Sequence, residues 1–318
     1  MTRKRVLVRH ERSDWSDWYV DKLSAEFPGF DFRAAHTPEE TMELAPDTHV
    51  YIGIGPRMTP ALVKAMPKLE WIQSLTTGVD NLLTMEEMPR GVPISKCVGV
   101  HGPQMSELAL MFMLALARRL PVALENQREG KWERWAQSLL YRKTVCILGL
   151  GSIAETLAAC CSVMGMTVTG VSDGRRQAPH VDRIYPRAAL KEAVSEADFF
   201  VVLIPLTPET RHIVDAEIIG AMKPTAFLVN IARGGCVDEA ALVEALESCA
   251  IAGAGIDVFE TVPLPADHPL RQMPNVILTP HIGGYSDIYH EQCYPIVAEN
   301  FRAFAEGGPD SLADAIRL

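Results

Sequence analysis

Hydrophobic positions along the chain fall into short unbroken runs, separated by stretches with helical spacing. Arg5–Val8, Val50–Ile54 and Leu69–Leu75 read as strands, with a break at Pro28-Gly29 between the first two. A second series opens at Thr144–Leu148 and continues at Thr167–Val171, Phe199–Ile204, Ala226–Asn230, Ala252–Ile256 and Val276–Leu278. Strands that are apolar without alternation belong to parallel sheets covered by helices on both faces, so an α/β architecture is predicted. Between the two series, Gln104–Leu120 has the pattern of a long buried helix, ended by Pro121, and a polar stretch rich in Arg, Glu and Trp leads on to Lys143. The tail after Gly284 reads as helical, has no strand of its own, and is expected to pack back on the first lobe.

A length of 318 residues suits two domains better than one. With 48% hydrophobic and 22% charged residues, the chain has the composition of a soluble globular protein. Lys and Arg number 30 against 40 Asp and Glu, and this net charge of -10 argues against nucleic acid or an anionic membrane as the main partner. The longest apolar run, Leu108–Ala117, falls well short of the roughly 20 residues a membrane helix needs. The basic start at Arg3, Lys4 and Arg5 leads directly into Val6-Leu7-Val8, which reads as a first strand instead of the apolar core of an export signal. Seven cysteines show neither a CxxC pair nor Cys/His ligand spacing, so no metal site and no disulfide framework is indicated, and reduced thiols in a cytoplasm fit best.

The strand Thr144–Leu148 runs into Gly149-Leu150-Gly151-Ser152-Ile153-Ala154, with a helix beginning near Glu155. This is a GxGxxA turn. Its first glycine permits the tight turn, its second lets backbone amides approach a pyrophosphate, and the helix N-terminus favours the anion. Glycine-rich turns follow many strands for steric reasons alone, but the flanking strand and helix, with a second strand ending near Ser172-Asp173, favour dinucleotide binding. Ser172 stands where a carboxylate for the ribose 2′-hydroxyl is expected, Asp173 follows it, and Arg175 and Arg176 are close enough in sequence to hold a 2′-phosphate. The cofactor is therefore expected to be NAD or NADP, with the choice open.

Two further clusters follow predicted strands. In Asn230-Ile231-Ala232-Arg233-Gly234-Gly235, the Arg233 guanidinium could hold a carboxylate and its neighbouring carbonyl in a fork; the bland alternative is a surface arginine in a turn. In Leu278-Thr279-Pro280-His281-Ile282-Gly283-Gly284, His281 sits on a loop after the last strand, suited to giving a proton to a carbonyl oxygen as hydride reaches carbon.

With both clusters in view, the chain resembles the D-isomer-specific 2-hydroxyacid dehydrogenases, particularly their glyoxylate/hydroxypyruvate reductase branch. The shared motifs run in order from Thr76-Thr77-Gly78-Val79-Asp80 through Met105-Ser106-Glu107 and Gly149-Leu150-Gly151, and on through Ile204–Thr210, Asn230–Asp238 and Gly255–Phe259 to Thr279-Pro280-His281. The resemblance implies a Rossmann-type doubly wound parallel sheet over residues 102–284, and a discontinuous flavodoxin-like α/β substrate domain from 1–101 and 285–318. It implies that the backbone at Thr77 and Gly78 binds the substrate carboxylate, that Arg233 clamps carboxylate and carbonyl, and that His281 is the acid/base. Gly149, Leu150, Gly151, Ser152 and Ile153 would bind the pyrophosphate. Asp257 would meet the nicotinamide carboxamide, Ala232 and Gly283 its ring, and Pro205 and Thr210 the adenosine side. The family commonly dimerises through the nucleotide domain, which directs attention to Pro121–Arg142 with Trp132 and Trp135.

One position departs from the family. The carboxylate that pairs with the histidine belongs in Asp-Val-Phe-x-x-Glu-Pro, and here Val262 occupies its place in Asp257-Val258-Phe259-Glu260-Thr261-Val262-Pro263. Valine cannot orient an imidazole or stabilise its cation. Glu260 lies two residues earlier, on the same face of an extended segment, and either substitutes for the missing acid if the loop moves or is simply solvated. The leading expectation is an active reductase of a small 2-keto acid; the alternative is an impaired cofactor-sensing or interaction protein on the same fold. The side chain of the substrate is expected to depend on residues scattered over the first lobe, such as Arg57, Trp15 and His101, and the sequence assigns that role to none of them.

Overall fold

The run Arg5–Arg9 becomes strand β1 because Val6 and Val8 are buried on one face and Leu7 on the other. A strand covered on both faces has no reason to alternate. With β2 (Asp31–Ala35), β3 (Thr48–Gly53), β4 (Trp71–Ser74) and β5 (Ile94–Ser95) it forms a five-stranded parallel sheet of order β2-β1-β3-β4-β5, the flavodoxin-like order. The computed structural model describes residues 3–318. They divide into two compact units, the first running to Val100 and resuming over Asp287–Leu318, the second His101–Ser286. In the first unit the helix Tyr289–Gly307 packs Val297, Phe301 and Phe304 with Trp15, Tyr19 and Trp71 on one face of the sheet, and Leu62, Met66 and Tyr51 fill the other. The tail beyond this helix makes one antiparallel bridge, Ile316 to Ile94, where no pairing was expected.

The second unit holds seven parallel strands: β6 (Thr144–Leu148), β7 (Thr167–Val171), β8 (Arg183–Tyr185), β9 (Phe199–Val202), β10 (Phe227–Asn230), β11 (Gly253–Ile256) and β12 (Val276–Leu278). Their order, β12-β11-β10-β9-β6-β7-β8, is that of a Rossmann sheet with one added strand, so the α/β prediction with a doubly wound sheet is borne out. Strand order reverses between β6 and β9, and ligands of open α/β sheets bind beyond the carboxyl ends at such a point.

The predicted linking helix spans Gly102–Ala117 and stops at Arg118; the break is at Arg119, whose φ of 55° is left-handed. Pro121 was expected to end this helix. It stands instead in the first turn of a second helix, Leu120–Arg128, where a residue without an N–H loses no hydrogen bond. The first helix lies close on β11: a Cβ at Gly255 would sit 2.5 Å from Cγ of Phe112, so only glycine admits that ring. Among the described residues, no helix is long and apolar enough to cross a membrane.

Candidate active site

Every sequence-predicted residue of the second unit stands beyond a strand's carboxyl end, and each loop is held by its own device. After β6, Gly149 adopts φ +96° and its amide bonds Val171 O at 3.0 Å. A Cβ there would meet Leu203 O at 2.9 Å, so conformation and space both require glycine. Leu150 is buried against Gly170, whereas Gly151 has open space around its Cβ position. The helix Ser152–Val163 then begins with no side-chain cap, leaving the first-turn amides of Ser152 and Ile153 to an anion. These residues fit a dinucleotide pyrophosphate.

At the end of β7, Ser172 Oγ accepts from Arg175 N at 3.2 Å, and the Arg175 guanidinium pairs with Glu155 on the first turn of the same helix. Asp173 is turned away: its carboxylate accepts Arg187 N at 2.8 Å and faces Arg187 Nε at 3.6 Å. Arg176 is exposed. After β9, Thr210 Oγ1 donates to Pro205 O and accepts from Thr207 N, each at 2.7 Å, which closes the turn.

Beyond β10, Asn230 holds its own loop, donating from Nδ2 to Arg233 O at 3.1 Å and accepting Ala232 N at 3.2 Å. Arg233 is half-buried, and its Nη1 donates to Ala232 O at 2.8 Å. The Gly-Gly that follows is steric in origin, because a Cβ at Gly234 would stand 2.0 Å from the carbonyl carbon of Phe259. The loops after β10 and β11 are therefore in backbone contact.

Asp257, 1% exposed, organises the histidine loop. Its Oδ1 accepts the Thr279 hydroxyl and Ile282 N at 2.9 Å, while Oδ2 accepts Gly283 N at 2.9 Å. Three donors from one loop meet this carboxylate, so the backbone around His281 is held although His281 itself is exposed, with φ 57°. Gly283 is buried, and a Cβ there would lie 2.4 Å from Leu108 Cδ2.

Glu260 is committed elsewhere: its carboxylate pairs with His212 Nε2 and lies 3.5 Å from Arg211 Nη2. A second pair, His268 with Glu239 at 3.1 Å, stands beside it, and Glu260 N donates to Glu239 at 3.4 Å. Of the two sequence expectations for Glu260, substitute acid or solvated residue, the second is nearer: the residue is exposed, and its carboxylate is shared with His212 and Arg211 at the surface. Val262 is 67% exposed and supplies no polar group.

Sequence reasoning left His101 unassigned. Its imidazole lies against Gly284, where a Cβ would stand 3.2 Å from the ring's Cδ2. Burial, and after it the charge of Arg233, holds its pKa below the usual imidazole value. His101 thus lies against the loop that carries His281 and within the electrostatic reach of Arg233. Its only sequence signal was its place before Gly-Pro at a helix start; nothing local tied it to Arg233.

In the first unit, the turn after β4 is held by Thr76 Oγ1 donating to Gly78 O at 2.8 Å and by Thr77 Oγ1 donating to Cys97 O at 2.6 Å.

Comparison with known proteins places this geometry. The NAD-binding domain of the D-isomer specific 2-hydroxyacid dehydrogenases matches residues 110–283, more than half of the chain. The chain is 35% identical over 250 residues to the glyoxylate reductase of Korarchaeum cryptofilum, covering 77% of this chain and 75% of that protein. The solved structure of a D-isomer specific 2-hydroxyacid dehydrogenase family protein from Aeromonas salmonicida has a TM-score of 0.90 at 32% identity, covering 99% of both chains. That of the NADPH-dependent glyoxylate/hydroxypyruvate reductase of Sinorhizobium meliloti, in complex with NADP and sulfate, has a TM-score of 0.82 at 28% identity over 99% of this chain and 98% of that one. The chain spans about half the length, 52% and 55%, of the D-3-phosphoglycerate dehydrogenases of Methanocaldococcus jannaschii and Synechocystis that it also matches. Nothing in these relatives supports an impaired sensing protein. The chain belongs to the D-isomer specific 2-hydroxyacid dehydrogenase family, and it is an NAD(P)-dependent oxidoreductase of 2-keto and 2-hydroxy acids.

Proposed function

We propose that the protein reduces glyoxylate, hydroxypyruvate or a similarly small 2-keto acid, with Arg233 as the carboxylate clamp, His281 as the proton donor and NADPH preferred to NADH. The observation that carries this reading is the placing of Arg233 and the Asp257-held His281 loop at strand ends of the sheet whose first turn suits a pyrophosphate. Reduced nicotinamide supplies the hydride. Arg233 presents a planar fork that binds the substrate carboxylate and polarises the C2 carbonyl, so that negative charge developing on oxygen is met by a fixed cation. His281 gives its proton to that oxygen. In other family members a carboxylate orients the histidine; here the hydrogen bonds from Thr279, Ile282 and Gly283 to Asp257 fix the backbone that carries it. Asp257, Ala232 and Gly283 are proposed to border the nicotinamide, Pro205 and Thr210 the adenosine side, and the backbone of Thr77 and Gly78 to bind the substrate carboxylate.

The preference for NADPH is supported by the end of β7. A serine replaces the expected acid, the neighbouring Asp173 is bound to Arg187, and Arg175 and Arg176 bring positive charge. The S. meliloti relative is described as NADPH-dependent. Steady-state loss of NADPH and NADH absorbance over a panel of 2-keto acids tests both parts. Absence of turnover with every acid, while NADPH still binds, would sink the reductase reading; equal kcat/KM with the two cofactors would sink the preference.

The protein is further inferred to form a homodimer in a reducing, cytoplasmic setting. Support for the first comes from apolar side chains exposed on the second unit, Trp132 at 95%, Val163 at 88% and Tyr141 at 61%. The second is supported by the free thiols of all seven cysteines. Light scattering that finds a particle of 35.0 kDa would refute the dimer.

A further inference from the structure

His101 is the N-cap residue of the helix Gly102–Ala117, yet its side chain makes no capping hydrogen bond. The ring is turned instead to the histidine loop, with Nε2 3.5 Å and Cδ2 3.2 Å from where a Cβ of Gly284 would stand. Gly284 has no left-handed φ, so its backbone conformation is open to any residue. What its missing side chain provides is room for the imidazole. Burial, and after it the charge of Arg233, lowers the pKa of this ring and so favours its neutral form. A neutral imidazole offers one N–H donor and one lone pair.

In a 2-keto acid, the carboxylate at C1 and the substituents of C3 lie within two bonds of the carbonyl carbon. A side chain close to the carboxylate clamp and to the loop of the proton donor is therefore in reach of C3. Burial of a hydroxyl without a partner is costly, and sites built to bond a hydroxyl discriminate strongly against analogues that lack it. We infer that His101 is a specificity residue that hydrogen-bonds a hydroxyl on C3 of the substrate, so that 3-hydroxy-2-keto acids of the hydroxypyruvate type are favoured over glyoxylate and pyruvate. This inference rests on the assignment of Arg233 as the carboxylate clamp.

The test measures kcat/KM with NADPH for hydroxypyruvate, pyruvate and glyoxylate in the wild-type enzyme and in His101→Phe, His101→Gln and Gly284→Ala. Phenylalanine keeps the ring's bulk and removes its polar atoms. Hydroxypyruvate turnover by His101→Phe is expected to fall by about tenfold or more, and turnover of glyoxylate, which has no C3, by far less. His101→Gln, with a donor and an acceptor, recovers part of the hydroxypyruvate preference. Gly284→Ala, which leaves His101 in place but crowds its ring, moves the ratio the same way as phenylalanine by a smaller factor. Melting temperatures accompany each variant, and should His101→Phe fail to fold, the glutamine and alanine variants carry the same comparison. Parallel losses on all three substrates, or an unchanged ratio, overturn the role of His101 while leaving the reductase intact. A wild-type enzyme that reduces none of the three overturns the reductase reading itself.

Discussion

The turn after β6 and the loops after β10, β11 and β12 stand on one sheet, but different forces shape them. The first is a backbone device: Gly149 at φ +96°, open space at Gly151 and uncapped helix amides define it with almost no help from side chains. The others depend on who pairs with whom. Asp257 holds the His281 loop, Asn230 holds the Arg233 loop, and Glu260 is drawn off to His212 and Arg211. A backbone device depends on a few residues in a row, whereas a side-chain network can exchange partners when one member changes. The replacement of the family's acid by Val262 falls in the network, where other groups are available to hold the histidine loop.

Removing the forked cation should have the largest effect. Arg233→Ala is expected to lower kcat/KM by about a thousandfold, roughly 4 kcal/mol, with Arg233→Lys intermediate because it keeps charge and loses the fork. Steady-state kinetics with the best 2-keto acid decides this; a change below tenfold would return Arg233 to the status of a surface arginine. Next comes the backbone device. Gly149→Ala combines a left-handed φ with a Cβ 2.9 Å from Leu203 O, and should weaken NADPH binding by about 3 kcal/mol, about a hundredfold, in a fluorescence titration. Unaltered binding would mean that the turn does not hold the pyrophosphate.

The network predictions are smaller. Asp257→Asn keeps the shape but replaces one carboxylate oxygen with an amide, which sets a donor against donors of the Thr279–Gly283 loop. A loss of about 2 kcal/mol, near thirtyfold, is expected in kcat, with the KM for NADPH moving less. If KM alone changed, Asp257 would serve the cofactor and not the histidine loop. Smallest of all, Glu260→Gln should leave kcat within about threefold, since it disturbs only a partly exposed pair with His212. A tenfold fall would restore Glu260 as the acid that Val262 is not.

Much of the fold was legible in the sequence, and the omissions share a cause. β2, β5 and β8 were not predicted, and each stands at the edge of its sheet. β2, Asp-Phe-Arg-Ala-Ala, has one large apolar residue, and β5 is two residues long. Such strands owe their existence to hydrogen bonds with a neighbour that the sequence pattern does not contain. Pro121 was read as a stop signal where it serves as a start, because the left-handed residue that makes the break, Arg119, is not a glycine and gives no warning.

By itself the sequence determined the parallel α/β architecture, the position of the glycine turn after β6 and the motifs around Arg233 and His281. All of these depend on residues adjacent in the chain, where backbone conformation and burial period leave a direct record. Only the tertiary structure decided that Glu260 faces His212, that Asp257 meets three donors from the histidine loop, that Asp173 turns to Arg187, and that His101 lies against Gly284 within reach of the charge of Arg233. Hydrogen bonds and charges act over a few ångströms in space, and the partners they select come from different strand ends whose closeness is created by folding.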